Sequence, residues 1–338
     1  MRISVIGAGS WGTAVSWLLG GKGHEVSLWA RESEIAAGVN ESHHNPLYLP
    51  EVVLPESVRA SDDVGVALQG SEAVVMVTPS IGVRQTAEAM APHLADDTPV
   101  VILSKGVEQE TLMLMTEVLV DVFGGKDRVA GLSGPNHAEE VSKGVPSATV
   151  VAAYEASVAE RFQDIFMSPF FRVYTNTDVV GVELCGASKN VVAIAAGMCD
   201  GLGYGDNTKA TLMTRGLAEM SRLGCALGAN PLTYMGLAGM GDLIVTCTSR
   251  HSRNRGIGQF VAEGGTMEEW AGETNMVAEG AVACLSLSAL GEREKVELPL
   301  TNMVRQVLYE GLDPAEAGKY LMGRTAKDEL HGIGLVVD

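Results

Sequence analysis

The chain has 338 residues, 46% hydrophobic and 20% charged, with 24 basic against 42 acidic side chains and a formal net charge of −18. This length suits about two domains of about 150 residues, and the hydrophobic share excludes a disordered or fibrous chain. The acidic excess argues against nucleic acid or an anionic membrane surface as partner, since both are polyanions.

Residues 2–6, Arg-Ile-Ser-Val-Ile, are a short β-branched run that predicts a buried strand. Gly7-Ala8-Gly9-Ser10-Trp11-Gly12 follows at G-x-G-x-x-G spacing, and Ala14, Val15, Leu18 and Leu19 continue it at helical spacing. Glu25–Trp29 is a second strand, closing a βαβ unit of about thirty residues. Gly7 would allow the tight turn, Gly9 the approach of a pyrophosphate, and Gly12 the close seating of helix on strand. The helix start would add N–H donors and a positive dipole end. A tight turn with no ligand is the alternative. The apolar start could pass for a secretory leader, but its glycines belong to this motif instead. Past the second strand stand Arg31 and Glu32, the first suited to the 2′-phosphate of NADP and the second to the ribose of NAD.

Further buried strands are expected at 73–77, 99–103 and 128–132, and near 147–152 and 171–175, with a helix over roughly 109–122. Loops with polar residues end several of them: Thr78-Pro79-Ser80, Ser104-Lys105-Gly106 and Ser133-Gly134-Pro135-Asn136-His137-Ala138. After about residue 178 β-branched runs thin out and Ala, Met, Leu and Gly recur at helical spacing. The expected architecture is therefore an α/β Rossmann-type nucleotide-binding domain over 1–179 and an all-α domain over 180–338. Glycine clusters at 197–205 and 236–241 suggest close backbone approaches near a ligand as well as turns. No apolar run reaches the length of a spanning helix.

Three places in the second half could carry chemistry. Lys189 sits in an apolar, charge-poor segment, either as a desolvated proton donor or as a lysine snorkelling to the surface. Asp242, between glycines and an apolar run, could orient a lysine or a substrate hydroxyl, or simply cap a helix. Ser252-Arg253-Asn254-Arg255 gathers hydroxyl, guanidinium and amide donors as a phosphate monoester requires, and otherwise reads as a solvated basic loop. The histidines show no metal-ligand spacing, and no metal is expected. Five scattered cysteines read as reduced core residues of a cytoplasmic protein.

These stretches together resemble the bacterial-type NAD(P)-dependent glycerol-3-phosphate dehydrogenases over essentially the whole chain. The resemblance rests on Gly7–Thr13, Ser104-Lys105-Gly106, Ser133-Gly134-Pro135, Gly186–Asn190, Arg215–Glu219, Ala238–Asp242 and Ser252-Arg253-Asn254. It implies reversible reduction of dihydroxyacetone phosphate to sn-glycerol 3-phosphate, serving glycerophospholipid synthesis, with NADPH or NADH as cofactor. It makes Lys189 the proton acceptor and donor, with Asp242 beside it. Lys105, Gly134, Asn136, Asp242, Ser252, Arg253 and Asn254 match substrate-contact positions. Ser10, Trp11, Arg31, Lys105, Ala138, Arg253, Val277 and Glu279 match cofactor positions. Glu32 stands where many members carry a second basic residue, Ser188 replaces an aliphatic neighbour of the lysine, and Asn136 replaces Ser or Thr. No nucleic acid and no membrane span are implied, and a homodimer is left open.

The charge distribution agrees with an anionic small molecule. Segments 98–107, 184–199 and 243–262 contain no Asp or Glu, and they carry Lys105, Lys189 and Arg250, Arg253 and Arg255. A globally acidic chain thus keeps its acids away from the places expected to meet phosphate.

Overall fold

The computed structural model describes residues 1–273 and 278–333. The chain divides into two units, Met1–Ser104 with Met115–Val179, and Lys105–Leu114 with Val180 onward.

The first unit is one eight-stranded sheet: β1 (Arg2–Ile6), β2 (Glu25–Trp29), β3 (Val58–Ser61), β4 (Ala73–Met76), β5 (Val100–Ile102), β6 (Val129–Ser133), β7 (Ser147–Ala153) and β8 (Phe171–Asn176), in the order β3-β2-β1-β4-β5-β6-β7-β8. All neighbours run parallel except β6 and β7. The helices α1 (Ser10–Gly21), α2 (Ser33–Ser42), α3 (Val64–Leu68), α4 (Val83–Met90), α5 (Met115–Phe123), α6 (Ala138–Val141) and α7 (Ala156–Phe166) connect and cover it. The central strands are buried on both faces, as the consecutive pairs Val5 and Ile6, Val74 and Val75, and Val101 and Ile102 show, which is why they read as continuous apolar runs. Strand order reverses between β1 and β4, with Ile3 opposite both Val26 and Ala73. Parallel sheets open their ligand crevice at the carboxyl ends of such strands.

Two local expectations are corrected. β3 was not expected, because Val58-Arg-Ala-Ser alternates weakly and lies at the sheet edge. The helix expected over 109–122 begins only at Met115: residues 105–114 instead form an excursion closed by a bridge between Val107 and Leu114, and they belong to the second unit.

The second unit holds the helices α8 (Val179–Gly201), α9 (Asp206–Ala226), α10 (Asp242–Thr248), α11 (Arg253–Ala262), α12 (Met267–Glu273), α13 (Glu279–Glu294), α14 (Pro299–Glu310) and α15 (Pro314–Met322). No strand follows Asn176 among the described residues. Contrary to expectation, α8 is long and apolar enough by composition to cross a membrane, yet 94% of its most apolar window is buried. It is the core helix of this unit. Its glycines explain part of the clustering seen in the sequence. A Cβ on Gly197 would stand 1.9 Å from the Arg255 carbonyl oxygen, and one on Gly258 of α11 would stand 1.9 Å from that of Ile194. The two backbones therefore cross in direct contact, which only glycine permits.

Candidate functional site

The glycine loop lies between β1 and α1. Gly7 has φ +119°, and a Cβ there would press on the Val77 carbonyl oxygen at 2.9 Å; a Cβ on Gly12 would reach within 1.8 Å of the Gly7 carbonyl oxygen. These two glycines are therefore demanded by the turn itself. Gly9 differs, because nothing stands within 4 Å of where its Cβ would be. It precedes α1, whose start has no side-chain cap, with Ser10 and Trp11 in its first turn. Open space over a glycine at an uncapped helix start is the cradle that a pyrophosphate fits. Trp11 packs on Phe171, ring centroids 6.4 Å apart.

Beyond β2, Arg31 donates to the Glu32 carboxylate through Nε at 3.2 Å and Nη2 at 2.9 Å, while its side chain is 83% exposed. The two residues that point to different nucleotides are thus paired with each other. At the end of β6, a Cβ on Gly134 would meet Thr149 Cα at 2.8 Å, so this glycine allows close strand packing. Asn136 donates to Thr149 Oγ1 at 3.1 Å, and Ala138 opens α6 in a buried position. Every candidate of this unit lies at the carboxyl edge of the sheet.

In the second unit, Asp242 is the first residue of α10, after a π-helical turn over Leu237–Gly241. Its carboxylate does not cap the helix. It accepts from Lys105 Nζ at 2.7 Å and, at Oδ1, from Lys189 Nζ. Lys189 is 6% exposed, so it does not snorkel. Its Nζ also donates to Thr246 Oγ1 at 2.7 Å, and that hydroxyl donates to the Asp242 carbonyl oxygen at 2.6 Å. Among the described residues two of the three Lys189 donors are thereby engaged, leaving one position to face a ligand.

Burial pushes the Lys189 ammonium down from its ordinary range; Asp242 pulls the other way, the Lys105 charge adds to the lowering, and the value settles at about 8. Burial alone would raise the Asp242 carboxyl, but the two ammonium groups more than offset it and hold it below its ordinary value. The result is a fixed carboxylate between two lysines, one poised to exchange a proton near neutral pH.

The turn before α11 supplies a second group of candidates. Ser252 is buried and its hydroxyl accepts from the Arg255 backbone N–H at 3.2 Å. Asn254 donates to Asn190 Oδ1 at 3.0 Å and accepts from the Gly280 N–H at 2.9 Å, next to Glu279 at the start of α13. Arg253 is exposed and its guanidinium bonds to no described residue. Arg255 is committed elsewhere, to Asp200 at 2.7 Å, so of the two arginines in Ser252–Arg255 Arg253 is the one that presents itself to a ligand. Val277 lies outside the described residues.

Two participants were missed. Thr246 follows Asp242 by four residues, so both face one side of α10, and that spacing was a usable signal. Asn190 follows Lys189 directly, and its link to Asn254 has no local signature. Four of the five cysteines are core residues as expected and Cys225 is only half-buried; burial pushes the Cys247 and Cys284 thiols up to about 12, which leaves them unreactive.

Comparison with known proteins gives this arrangement its context. Residues 2–159 match the family model of the NAD-dependent glycerol-3-phosphate dehydrogenase N-terminus, and residues 178–319 that of its C-terminus. The chain is 48% identical over 336 residues to the glycerol-3-phosphate dehydrogenase [NAD(P)+] of Pelotomaculum thermopropionicum, covering 99% of this chain and 96% of that one. It is 49% identical to the enzyme of the same name from Corynebacterium aurimucosum, covering 97% and 99%. The crystal structure of glycerol-3-phosphate dehydrogenase from Coxiella burnetii superposes with a TM-score of 0.91 at 37% identity, over 96% of this chain and 99% of that one. With both halves matched in order, the chain belongs to the NAD-dependent glycerol-3-phosphate dehydrogenase family.

Proposed function

We propose that the chain catalyses the reversible reduction of dihydroxyacetone phosphate to sn-glycerol 3-phosphate, with NADH or NADPH as electron donor, in the service of glycerophospholipid synthesis. The observation that carries this reading is the buried cluster of Lys105, Asp242, Lys189 and Thr246. Gly7, Gly9, Ser10, Trp11 and Gly12, with Arg31, would hold the dinucleotide, which when bound would supply the hydride for the ketone carbon. Ala138, Val277, Glu279, Lys105 and Arg253 are the further positions proposed to touch it.

The chain's own work is to manage the proton and the charge. As the ketone carbon gains its electron pair, the carbonyl oxygen becomes an alkoxide. Lys189 transfers its proton to that oxygen and is left neutral, so atoms and charge balance. While charged, Lys189 and Lys105 stabilise the developing oxyanion within a dry site. Asp242 and Thr246 hold the Lys189 ammonium in place, so no reorganisation is needed at the moment of transfer. Gly134 and Asn136 are the further positions proposed for the substrate.

Ser252, Arg253 and Asn254 are proposed to bind the phosphate. Arg253 is uncommitted to any described residue, it stands at the positive end of the α11 dipole, and bidentate guanidinium binding suits a phosphate monoester. Binding a remote dianion converts its energy into orientation of the ketone. Five reduced thiols support a cytoplasmic setting, and a homodimer is compatible with the reading.

The test is kinetic. Lys189→Ala is expected to lower kcat by about 10²–10⁴-fold, the range for a lost general acid, with NADH affinity kept. Turnover near that of the unaltered chain would sink the assignment. Arg253→Ala is expected to lower kcat/KM for dihydroxyacetone phosphate, and an unchanged value would remove Arg253 as the clamp.

A further inference from the structure

The phosphate turn sits at the N-terminal end of α11, and α11 crosses α8 on bare backbone at Gly197, Gly201 and Gly258. Helices usually fix their relative position by interlocking ridges of side chains. At a crossing lined by glycine the backbones themselves meet, so the glycine positions set both the separation of the helices and their register. Register matters here, because α8 carries Lys189 while α11 begins at Arg253.

Two adjacent residues of α11 grip α8, one before the crossing and one within it. Asn254 reaches back to Asn190, and Arg255 reaches forward to Asp200 through Nη1 at 2.7 Å. The two anchor points are ten residues apart on α8, about 15 Å at 1.5 Å per residue. Arg255 also closes the turn on itself. Its Nε donates to the Ser249 carbonyl oxygen at 3.2 Å, and its backbone N–H donates to Ser252 Oγ at 3.2 Å. Ser249 and Ser252, which lead into the turn that presents Arg253 and Asn254, are therefore both tied to Arg255, one through its side chain and one through its backbone.

Asp200 is fixed in its turn, because its other oxygen pairs with Lys209 Nζ on α9. Arg255, Asp200 and Lys209 have side-chain exposures of 19%, 20% and 23%. A three-membered ion cluster screened to this degree holds geometry better than a solvated pair. Burial would raise the Asp200 carboxyl, but Lys209 and Arg255 outweigh it and keep the group ionised. The ion cluster thus ties the start of α11 to α8 and α9 beside the glycine crossing.

From this geometry we infer that Arg255, anchored by Asp200 and Lys209, is the positioning residue that fixes the Ser252–Asn254 turn on α8, and through it the place of the substrate's phosphate relative to Lys189. The inference rests on the reading of that turn as the phosphate clamp. It assigns Arg255 no contact with substrate. Its loss would misplace the phosphate and leave the proton-transfer cluster intact.

The experiment compares dihydroxyacetone phosphate with dihydroxyacetone, which lacks the phosphate, in the full-length protein. Asp200→Asn is expected to raise KM for the phosphorylated ketone about tenfold, below the 10²-fold that a misplacement of one ångström can cost. Its kcat should stay within about twofold, and its kcat/KM for dihydroxyacetone and its affinity for NADH should match the unaltered chain. Asp200→Glu, which keeps the charge, should recover most of the loss. Lys209→Met, which removes one of the two cations on Asp200 and leaves Arg255 in place, should give a smaller rise in the same KM and serves if Asp200→Asn does not fold. An equal loss on both substrates, or a lowered Tm with KM unchanged, would overturn the inference and leave the cluster a matter of stability alone. Arg253→Ala distinguishes the two levels. If it separates the substrates and Asp200→Asn does not, the positioning role fails while the clamp stands. If Arg253→Ala does not separate them, the clamp reading fails and the positioning role with it.

Discussion

Replacing Asp242 by Asn leaves the shape of the cluster and removes the one negative charge between Lys105 and Lys189. In the intact protein the Lys189 ammonium titrates at about 8, so at pH 7 about nine-tenths of the molecules hold the proton needed for ketone reduction. A charge pair at about 4 Å and an effective dielectric near 20 contributes about 4 kcal/mol. Losing it, with Lys105 still repelling, should carry the Lys189 value down by about two to three pH units. The buried lysine would then be largely neutral at pH 7, which also relieves the strain of two unpaired ammonium groups and lets the variant fold. Reduction at pH 7 should fall by about 10–100-fold through the loss of the protonated form. The assay is the pH profile of kcat for dihydroxyacetone phosphate reduction, followed by NADH absorbance. In the unaltered chain the rate should fall as pH rises through about 8, and in the variant the same limb should appear between about 5 and 6. A variant with uniformly lower rates and its limb still near 8 would refute the claim that Asp242 maintains the Lys189 proton.

The opposite direction supplies a sign check. Oxidation of sn-glycerol 3-phosphate needs neutral Lys189, so its rate should rise through about 8 in the unaltered chain, and a pH-flat profile would contradict the assignment. Gly12→Ala puts a methyl group 1.8 Å from the Gly7 carbonyl oxygen; it should cost about 2 kcal/mol of stability and weaken NADH binding, as thermal melts and a fluorescence titration would show. Glu32→Gln frees Arg31 from an exposed ion pair and removes a charge that repels a 2′-phosphate. A modest gain of about fivefold in kcat/KM for NADPH relative to NADH follows from about 1 kcal/mol, and an unchanged ratio would mean that Arg31 does not read the ribose. Glu219, 5% exposed, accepts from the Leu300 and Thr301 N–H groups and the Thr301 hydroxyl at the start of α14. Glu219→Ala should destabilise the protein by about 3 kcal/mol, the loss of a charged acceptor from buried donors, and should lower Tm with little effect on KM.

The nucleotide-binding unit was largely legible because its signals are local. The glycine spacing after β1 reports a backbone that must turn and pack within one helical turn, and the continuous apolar runs report strands buried on both faces. β3 escaped because an edge strand of Val58-Arg-Ala-Ser has little to bury. The helix after β5 was placed too early because periodicity does not reveal which unit a segment joins. Lys105–Leu114 carries a lysine that pairs with Asp242, 137 residues later.

The second unit was less legible for the same reason. Lys189 and Asp242 each stood out, but sequence alone left each with a bland alternative, and the contact between them decides against both. Thr246 could have been found from its spacing to Asp242. Asn190 and Asp200 could not, since their roles depend on where α11 crosses α8. The glycines at 197 and 201 point in the sequence to close backbone approaches near a ligand, and the close approach is that of α11 against α8.

The central claim is most directly tested by steady-state oxidation of NADH and NADPH with dihydroxyacetone phosphate, beside dihydroxyacetone and a β-keto acid of similar size. Oxidation should be rapid with the phosphorylated ketone and kcat/KM lower by orders of magnitude for the other two, because only the first engages the clamp at Arg253. Preferred turnover of the β-keto acid, or binding of reduced nucleotide without oxidation in the presence of dihydroxyacetone phosphate, would contradict it.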